Sequence, residues 1–377
     1  MEKVAIIMAG GAGNRFWPLS RIDRPKQIIK FDDNTPTLLE EAIERASTVI
    51  DLENIFIITN QYLKDPIANI ITNIPKENII AEPLKRNTAP CLSLAASVIA
   101  SRMEQRGVPE SEISVAVLTA DQRIFPVQSF SKILESLLKY VYYNEVLATI
   151  GIKPERPETG YGYIEVEADF DYTNQSLQIQ PIKSFHEKPT QIKAGEYFRS
   201  NRYLWNSGMF FYRLDTFVNK MIKYAKDIGD FIYEMKDIIN NNPSEDNFTQ
   251  NKSILNIYSN FPDISIDYAL MEKAKKVVVA PATFSWEDLG SFEALPRIYS
   301  VDANQNYIQG EVVELETNNS ILINRSERKD MILSILGYSN IVVTLTDDAV
   351  MICPRSRVQE VKRLVEEIAN QDKRQWL

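Results

Sequence analysis

Between Arg15 and Lys30 stand five cations, Arg15, Arg21, Arg24, Lys26 and Lys30, against one carboxylate, Asp23, a net +4 island. The glycines Gly10, Gly11 and Gly13 come immediately before it. Glycine lets backbone amides approach an anion closely and the cations supply counter-charge, so the pairing suits a phosphate chain. Phe16, Trp17, Pro18 and Pro25 stiffen the segment, which argues against a mobile, merely solvated loop. A Walker A loop is excluded, because the dipeptide Gly-Lys occurs nowhere in the chain. A dinucleotide fingerprint matches Gly11 and Gly13 but puts Phe16 where a small residue is required and prolines where a helix should start. Only Asp32 and Asp33, at the distance of a ribose-binding acid, support that alternative, so a strand-end phosphate turn is the favoured reading.

The elements that must hold this loop are legible in the first half. Short β-branched runs at 4–9, 55–59, 114–118 and 146–150 predict buried strands. Between them, 35–47 predicts a helix with Thr35 as cap, Pro36 in its first turn and Leu38, Leu39, Ala42, Ile43 and Ala46 as one apolar stripe. The small apolar run 88–103 predicts a helix packed closely on a sheet. This alternation predicts a doubly wound α/β domain with a mixed, mainly parallel sheet, whose ligands bind at the carboxyl ends of the strands. From about residue 160, glycine- and aromatic-rich strands (TGYGYIEV, WNSGMFFYR) read as an insertion over that sheet, and 240–253 as an exposed loop. After about residue 300, short β-type runs predict a small β-rich cap. Residues 357–369 close the chain as a docking helix with Val358, Val361, Leu364, Val365 and Ile368 on one face. The division expected is therefore 1–300 and 301–377.

Composition bounds the partner. The 377 residues carry a formal net charge of -9 and are 44% hydrophobic, which fits a globular protein and disfavours nucleic acid and anionic lipid surfaces. A small-molecule partner is expected. Cys91 and Cys353 are not set in a CxxC pair, so neither a disulfide framework nor a zinc site is indicated, as befits a reducing cytoplasm. The N-terminal apolar run is too short for a signal peptide, and no run reaches the length of a membrane span. With His186 the lone histidine, a divalent metal would sit on carboxylates, which points to Mg2+ or Mn2+.

The string from Gly10 to Arg21 followed by Pro25-Lys26-Gln27 resembles the opening motif of the sugar-1-phosphate nucleotidylyltransferases, and within them the mannose-1-phosphate guanylyltransferases. Glu82-Pro83 with Arg86-Asn87-Thr88-Ala89-Pro90, then TGYGYI (159–164), FHEKP (185–189), WNSGMF (205–210), SIDYALME (265–272) and WEDLGS (286–291), follow in the family's order over almost the whole chain. The resemblance implies the nucleotide-diphospho-sugar transferase fold with a β-helix-like cap, and transfer of GMP from GTP to mannose 1-phosphate with Mg2+. Longer relatives add an isomerase domain after the cap; with the chain ending at Leu377, the transferase alone is implied.

By the same resemblance, the amides of Gly11 and Gly13 within the turn Gly10–Gly13, with Arg15, grip the β- and γ-phosphates, and Asn14 belongs to that nucleotide-binding loop. Lys26 lies along the phosphate chain and Lys188 holds the sugar phosphate. Asp121 and Asp288, each after an apolar run, share one Mg2+ at the sheet's carboxyl edge; a lone strand-end Asp is more often a turn residue, but the two in matching motifs reverse that. Glu187, Asn206 and the Gly162 backbone complete the sugar pocket. Glu82 or nearby carbonyls accept from guanine, while Arg86, Asn87 and Thr88 serve either the base or the loop. A homodimer is expected, with the β-rich cap as a surface for it. Three motif positions depart from the usual pattern: Asn14 for Thr or Ser, Phe16 for Leu, and Gln122 for the His that usually follows Asp121. The last removes any titrating role there, so a non-catalytic, nucleotide-sugar-binding homologue stays open as an alternative.

Overall fold

The computed structural model describes residues 1–377 apart from 12, 32–34, 171–177, 242–247 and 329. Asp32 and Asp33, the only support for a dinucleotide site, lie outside the described residues, as does 242–247 of the expected loop. The chain forms two compact units: Met1–Ala9, Ala42–Thr119 and Ile124–Trp286 in the first, Gly10–Glu41, Ala120–Arg123 and Glu287–Leu377 in the second.

The strands through the first unit are β1 (Glu2–Met8), β2 (Ile55–Asn60), β3 (Ile79–Glu82), β4 (Ile113–Thr119), β5 (Gln122–Phe125), β6 (Leu147–Ile152), β7 (Tyr163–Val166), β8 (Gln180–His186), β9 (Tyr203–Arg213), β10 (Val277–Pro281) and β11 (Ser285–Asp288). β5 and β11 pair as a separate ribbon, and the other nine make one sheet in the order β3-β2-β1-β4-β9-β6-β10-β8-β7. β1 is parallel to β2 and β4, β2 to β3, and β6 to β10, whereas β9 is antiparallel to β4 and β6. The sheet is mixed, with all strands but β8 and β9 pointing the same way.

Two expectations change here. The segment after residue 160 is not laid over the sheet. WNSGMFFYR lies in β9, buried along most of its eleven residues and hydrogen-bonded on both sides in the middle of the sheet. Its β-branched and aromatic content reflects a strand buried on both faces. The first helix, α1 (Leu38–Ser47), starts later than expected, because Thr37 and not Thr35 caps it. Thr37 Oγ1 accepts from the Glu40 amide at 3.2 Å, and Glu40 Oε2 accepts from the Thr37 amide at 2.7 Å, a reciprocal capping box. The long helix Thr88–Gln105 is buried from Ala89 to Ser101, and its serines are tolerated there because Ser93 and Ser97 donate to the carbonyls of Ala89 and Ser93 at 2.9 Å. The stretch read as a loop at 240–253 already turns into a helix at its end, Lys252–Ser259, capped by Asn251.

In the second unit, β12 (Tyr307–Gln309), β14 (Ile321–Asn324) and β16 (Ile341–Leu345) stack in parallel with Tyr307, Ile321 and Val342 in register. β13 (Val312–Leu315) and β15 (Leu333–Leu336) form a second parallel pair, and β17 (Val350–Pro354) closes antiparallel on β16. Parallel coils of such short strands are the β-helix-like arrangement expected. The loop of glycines and cations packs on them: Phe16, Trp17, Leu19 and Phe31 share one apolar cluster with Ile321, Val342 and Val358. The Phe16 ring lies 5.0 Å from Phe31 and 5.1 Å from Phe292, which accounts for an aromatic at this position. Trp17 Nε1 donates to the Trp376 carbonyl at 2.8 Å. Val358, Val361 and Val365 are buried as expected, but Leu364 is 43% exposed. Residues Arg355–Glu360 form a tight 3-10 segment before the helix Val361–Asn370, and its three-residue turn shifts the phase of the stripe.

Thr37→Ala removes one half of the capping box and should lower the unfolding free energy by about 1 kcal/mol. Urea denaturation measures it, and an unchanged midpoint would show that the box does not stabilise α1.

Candidate active site

Lys26 opens a short turn, Lys26–Ile28, and is 8% exposed. Its Nζ donates to the Leu289 carbonyl at 2.7 Å and lies 3.0 Å from Asp121 Oδ2 and 3.7 Å from Asp288 Oδ1. The Leu289 amide donates to the Asp121 carbonyl at 3.3 Å, so the backbone also ties the two acidic segments together. Burial alone pulls the Lys26 ammonium down, but Asp121 and Asp288 outweigh it and hold its pKa above the usual value. Burial pushes the Asp288 carboxyl up to about 6; Lys26 opposes the rise and Asp121 adds to it.

The glycine turn is built around this lysine. Gly13 has φ 64°, and a Cβ there would lie 2.8 Å from the Lys26 amide nitrogen, so both conformation and space require glycine. The Gly13 carbonyl accepts from Ser20 Oγ at 2.8 Å, and the Gly11 carbonyl from Gln27 Nε2 at 3.0 Å. Gly10, Gly11, Asn14 and Arg15 are exposed, and a Cβ on Gly11 would meet nothing within 4 Å, so the turn has room for an incoming group. The field of Arg15 acts on both Lys26 and Asp288. The five-cation cradle is smaller than its sequence suggests. Arg21 is turned to the Pro18 carbonyl and to Asp348, at 2.8 Å, and Arg24 and Lys30 are exposed. Gln122, next to Asp121, is buried.

Two carboxylates converging on a single cation fit a hard divalent ion that takes its remaining ligands from water and phosphates. No cage of three or more potential ligands occurs among the described residues, so a metal dependent on the protein alone does not fit.

A second cluster belongs to the first unit. Glu187 and Lys188 follow β8, with Lys188 Nζ 3.1 Å from Glu187 Oε1 and Lys188 itself exposed at φ 44°, a strained conformation for a side-chain-bearing residue. A Cβ on Gly162 would come within 2.5 Å of Glu187 Oε2, so glycine is what lets the carboxylate lie against that backbone. The Gly162 carbonyl accepts from the Asn206 amide at 2.8 Å. The Asn206 side chain donates to Asp267 Oδ1 at 2.9 Å and accepts from Thr149 Oγ1 at 3.3 Å, which fixes its amide orientation. The four expected sugar-side residues are thus brought together around an acid that the sequence reading passed over. Burial, with Glu187 nearby, pushes Asp267 up to about 6. Its signal was present in SIDYALME, whose acid was quoted but given no role.

The expected base-reading residues form a third group. Glu82 Oε2 accepts from the Tyr258 hydroxyl at 2.8 Å, and burial pushes Glu82 up to about 7 against the hydrogen bonds of Tyr258 and Cys91. Arg86 donates to the Ser259 carbonyl at 3.1 Å, Asn87 caps the helix by accepting from the Thr88 amide at 2.9 Å, and Thr88 Oγ1 accepts from the Ile266 amide at 2.8 Å. Each therefore has a visible loop-supporting bond.

Residues 4–305 match the family described as nucleotidyl transferase, and 310–368 the MannoseP isomerase/GMP-like beta-helix domain. The chain is 34% identical over 365 residues to the mannose-1-phosphate guanylyltransferase of Escherichia coli K12, an alignment covering 96% of this chain and 73% of that protein. It belongs to the mannose-1-phosphate guanylyltransferases. A Salmonella typhimurium member of that family, RfbM, is 33% identical over 383 residues, covering 100% of this chain and 74% of its own. The crystal structure described as a mannose-1-phosphate geranyltransferase from Thermus thermophilus superposes with a TM-score of 0.82 at 28% identity, over 98% of this chain and 100% of that one. As a guanylyltransferase family member the chain is a nucleotidyltransferase, and both its transferase and β-helix portions are accounted for. Among its described residues no helix is long and apolar enough to cross a membrane.

A carboxyl whose native pKa lies above its unfolded value binds its proton more tightly when folded, so Glu82 contributes stability below about 4.5 that is lost as pH rises through about 7. Glu82→Gln should flatten the fall of unfolding free energy across that window. Denaturation curves at a series of pH values test this, and identical slopes for parent and variant would contradict it.

Proposed function

We propose that the chain transfers GMP from GTP to mannose 1-phosphate, giving GDP-mannose and pyrophosphate. The observation that carries this reading is the buried contact of Lys26 with Asp121 and Asp288, beside a glycine turn that only glycine can make. A phosphate oxygen of the sugar phosphate attacks the α-phosphorus of GTP in line, the bond to the α–β bridging oxygen breaks, and pyrophosphate leaves with the electron pair. Because a sugar phosphate is already largely ionised near neutrality (second pKa about 6), no proton need be removed from it, and the neutral Gln122 is compatible with the reaction.

The residues divide the work by charge. Lys26 holds the like-charged Asp121 and Asp288 at one point before substrate arrives. Arg15 and the amides of Gly11 and Gly13 neutralise the β- and γ-phosphates and the departing pyrophosphate, the positions where preorganised donors matter most. Asp121 and Asp288 would hold Mg2+ or Mn2+, which when bound supplies Lewis-acid stabilisation of phosphoryl oxygens. Lys188 takes the sugar phosphate, and Glu187, Asn206 and Asp267 take sugar hydroxyls, with Asn206 locked by its acid neighbour. Glu82 faces guanine donors as an acceptor. The same reading makes the protein a cytoplasmic homodimer. Its two cysteines are free thiols, and exposed apolar side chains on the C-terminal coils, Leu315, Leu336 and Tyr338, offer a face to a second copy.

A matrix of four nucleoside triphosphates against several sugar 1-phosphates tests the proposal. Pyrophosphate release should need GTP, mannose 1-phosphate and a divalent ion together. Tight GDP-mannose binding without turnover would replace the proposal with a non-catalytic homologue. Asp288→Asn should lower kcat by about 10-fold or more, the scale for losing a transition-state charge partner. Unchanged turnover in that variant would remove Asp288 from the mechanism.

A further inference from the structure

The first unit holds a second concentration of positive charge, well away from the residues above. A pocket of about 380 Å³ is lined by Arg213, Lys220, Lys223, Lys275 and Lys276. Its only carboxylates are Glu145 and Asp215, so five cations face two anions, a net +3 on a chain whose total is -9.

Its place in the sheet separates it from the expected ligand crevice. Arg213 ends β9 and pairs in register with Ser114, near the amino end of β4. The Lys276 carbonyl accepts from the amide of Leu147, the first residue of β6. Asn206, at the start of β9, pairs instead with Gly151 toward the carboxyl end of β6. The pocket thus opens at the amino ends of the parallel strands, roughly 20 Å along the sheet from Asn206 at ~3.3 Å per residue.

The charges in it are not balanced pair by pair. Arg213 takes both carboxylates for itself, reaching Asp215 through Nε at 2.7 Å and Nη2 at 2.9 Å, and Glu145 at 3.5 Å. Among the described residues none of the four lysines is ion-paired. Lys220 donates to the Lys275 carbonyl at 2.7 Å, which draws the two lysine segments together despite their like charge. Burial lowers the Lys220 pKa, and the neighbouring Lys276 and Lys223 lower it further, so the cluster is strained by its own charge. Lys276 has φ 60°, a conformation lysine seldom adopts. Strain of this kind persists where something is to be bound, and it is relieved by an anion.

We propose that this pocket binds a diphosphate group, presented either as free pyrophosphate or as the diphosphate of a nucleotide. Two phosphate groups bring roughly three negative charges, which match the excess lining charge. A concave site of this volume suits a small molecule and not an extended polyanion, which the overall negative charge repels. Four ammonium groups act as point charges and need no planar fork, so phosphate oxygens are the fitting partners.

Equilibrium binding of labelled inorganic pyrophosphate to the full chain, at low ionic strength without divalent metal, tests this. Lys223 and Lys275 are exposed, so Lys223→Gln with Lys275→Gln should leave the melting temperature unchanged, and Lys275→Gln alone serves if the pair does not fold. One class of bound pyrophosphate should weaken by about 10-fold or more in the pocket variant, and the same class should survive in Lys26→Met. Displacement of that class by GDP identifies a nucleotide as the source of the diphosphate; failure of GDP to displace it identifies free pyrophosphate. Undiminished binding in the pocket variant would overturn the proposal, as would orthophosphate competing as well as pyrophosphate.

Discussion

The second unit is organised by a buried ammonium ion. Lys26 lies out of water with two aspartates and a backbone carbonyl as its neighbours, and each of these would be costly to bury without it. Two carboxylates brought to one point repel one another, and a fixed cation between them removes that repulsion before any substrate is present. The arrangement is poised, because the charge needed to hold the site together in the free protein is the charge a phosphate ligand and a metal ion would rearrange.

Such a contact has to be held rigidly, and the aromatic residues of the loop explain how it is. Phe16, Trp17 and Phe31 are not part of any phosphate chemistry; they bury the loop among the C-terminal coils, and a fully buried Phe contributes about 1.5–3 kcal/mol to that anchoring. A segment that looks in sequence like a prolonged insertion of charge is therefore, in the structure, an apolar anchor with one inward lysine. The β-rich coils give the glycine turn its floor, which is why Gly10–Glu41 and Glu287–Leu377 fall into one compact unit.

Chemistry was more legible in the sequence than packing. The motif residues Lys26, Asp121 and Asp288 come together as expected, since those side chains have few reasons to be where they are except charge. The strands were legible too, because runs of isoleucine and valine have one stable solution in a buried sheet. What failed depended on tertiary partners. Thr35 and Thr37 are both plausible caps, and only the return bond of Glu40 decides between them. An alternating run such as WNSGMFFYR says strand but not which strand it will pair with, so its central position in the sheet was out of reach. The stripe through Leu364 failed because a tighter turn preceded the helix. Asp267 was overlooked because an acid inside an apolar run looks like a helix start until the amide of Asn206 is seen against it.

The central claim is that Lys26 and its carboxylates act as one electrostatic unit, and a double-mutant cycle on folding stability tests it most directly. Lys26→Met, Asp121→Asn and the pair are compared by chemical denaturation. Coupled charges predict that the double variant loses less stability than the two single losses added together, by at least about 1 kcal/mol, because each single change leaves its partner buried and uncompensated. Additive losses would contradict the account.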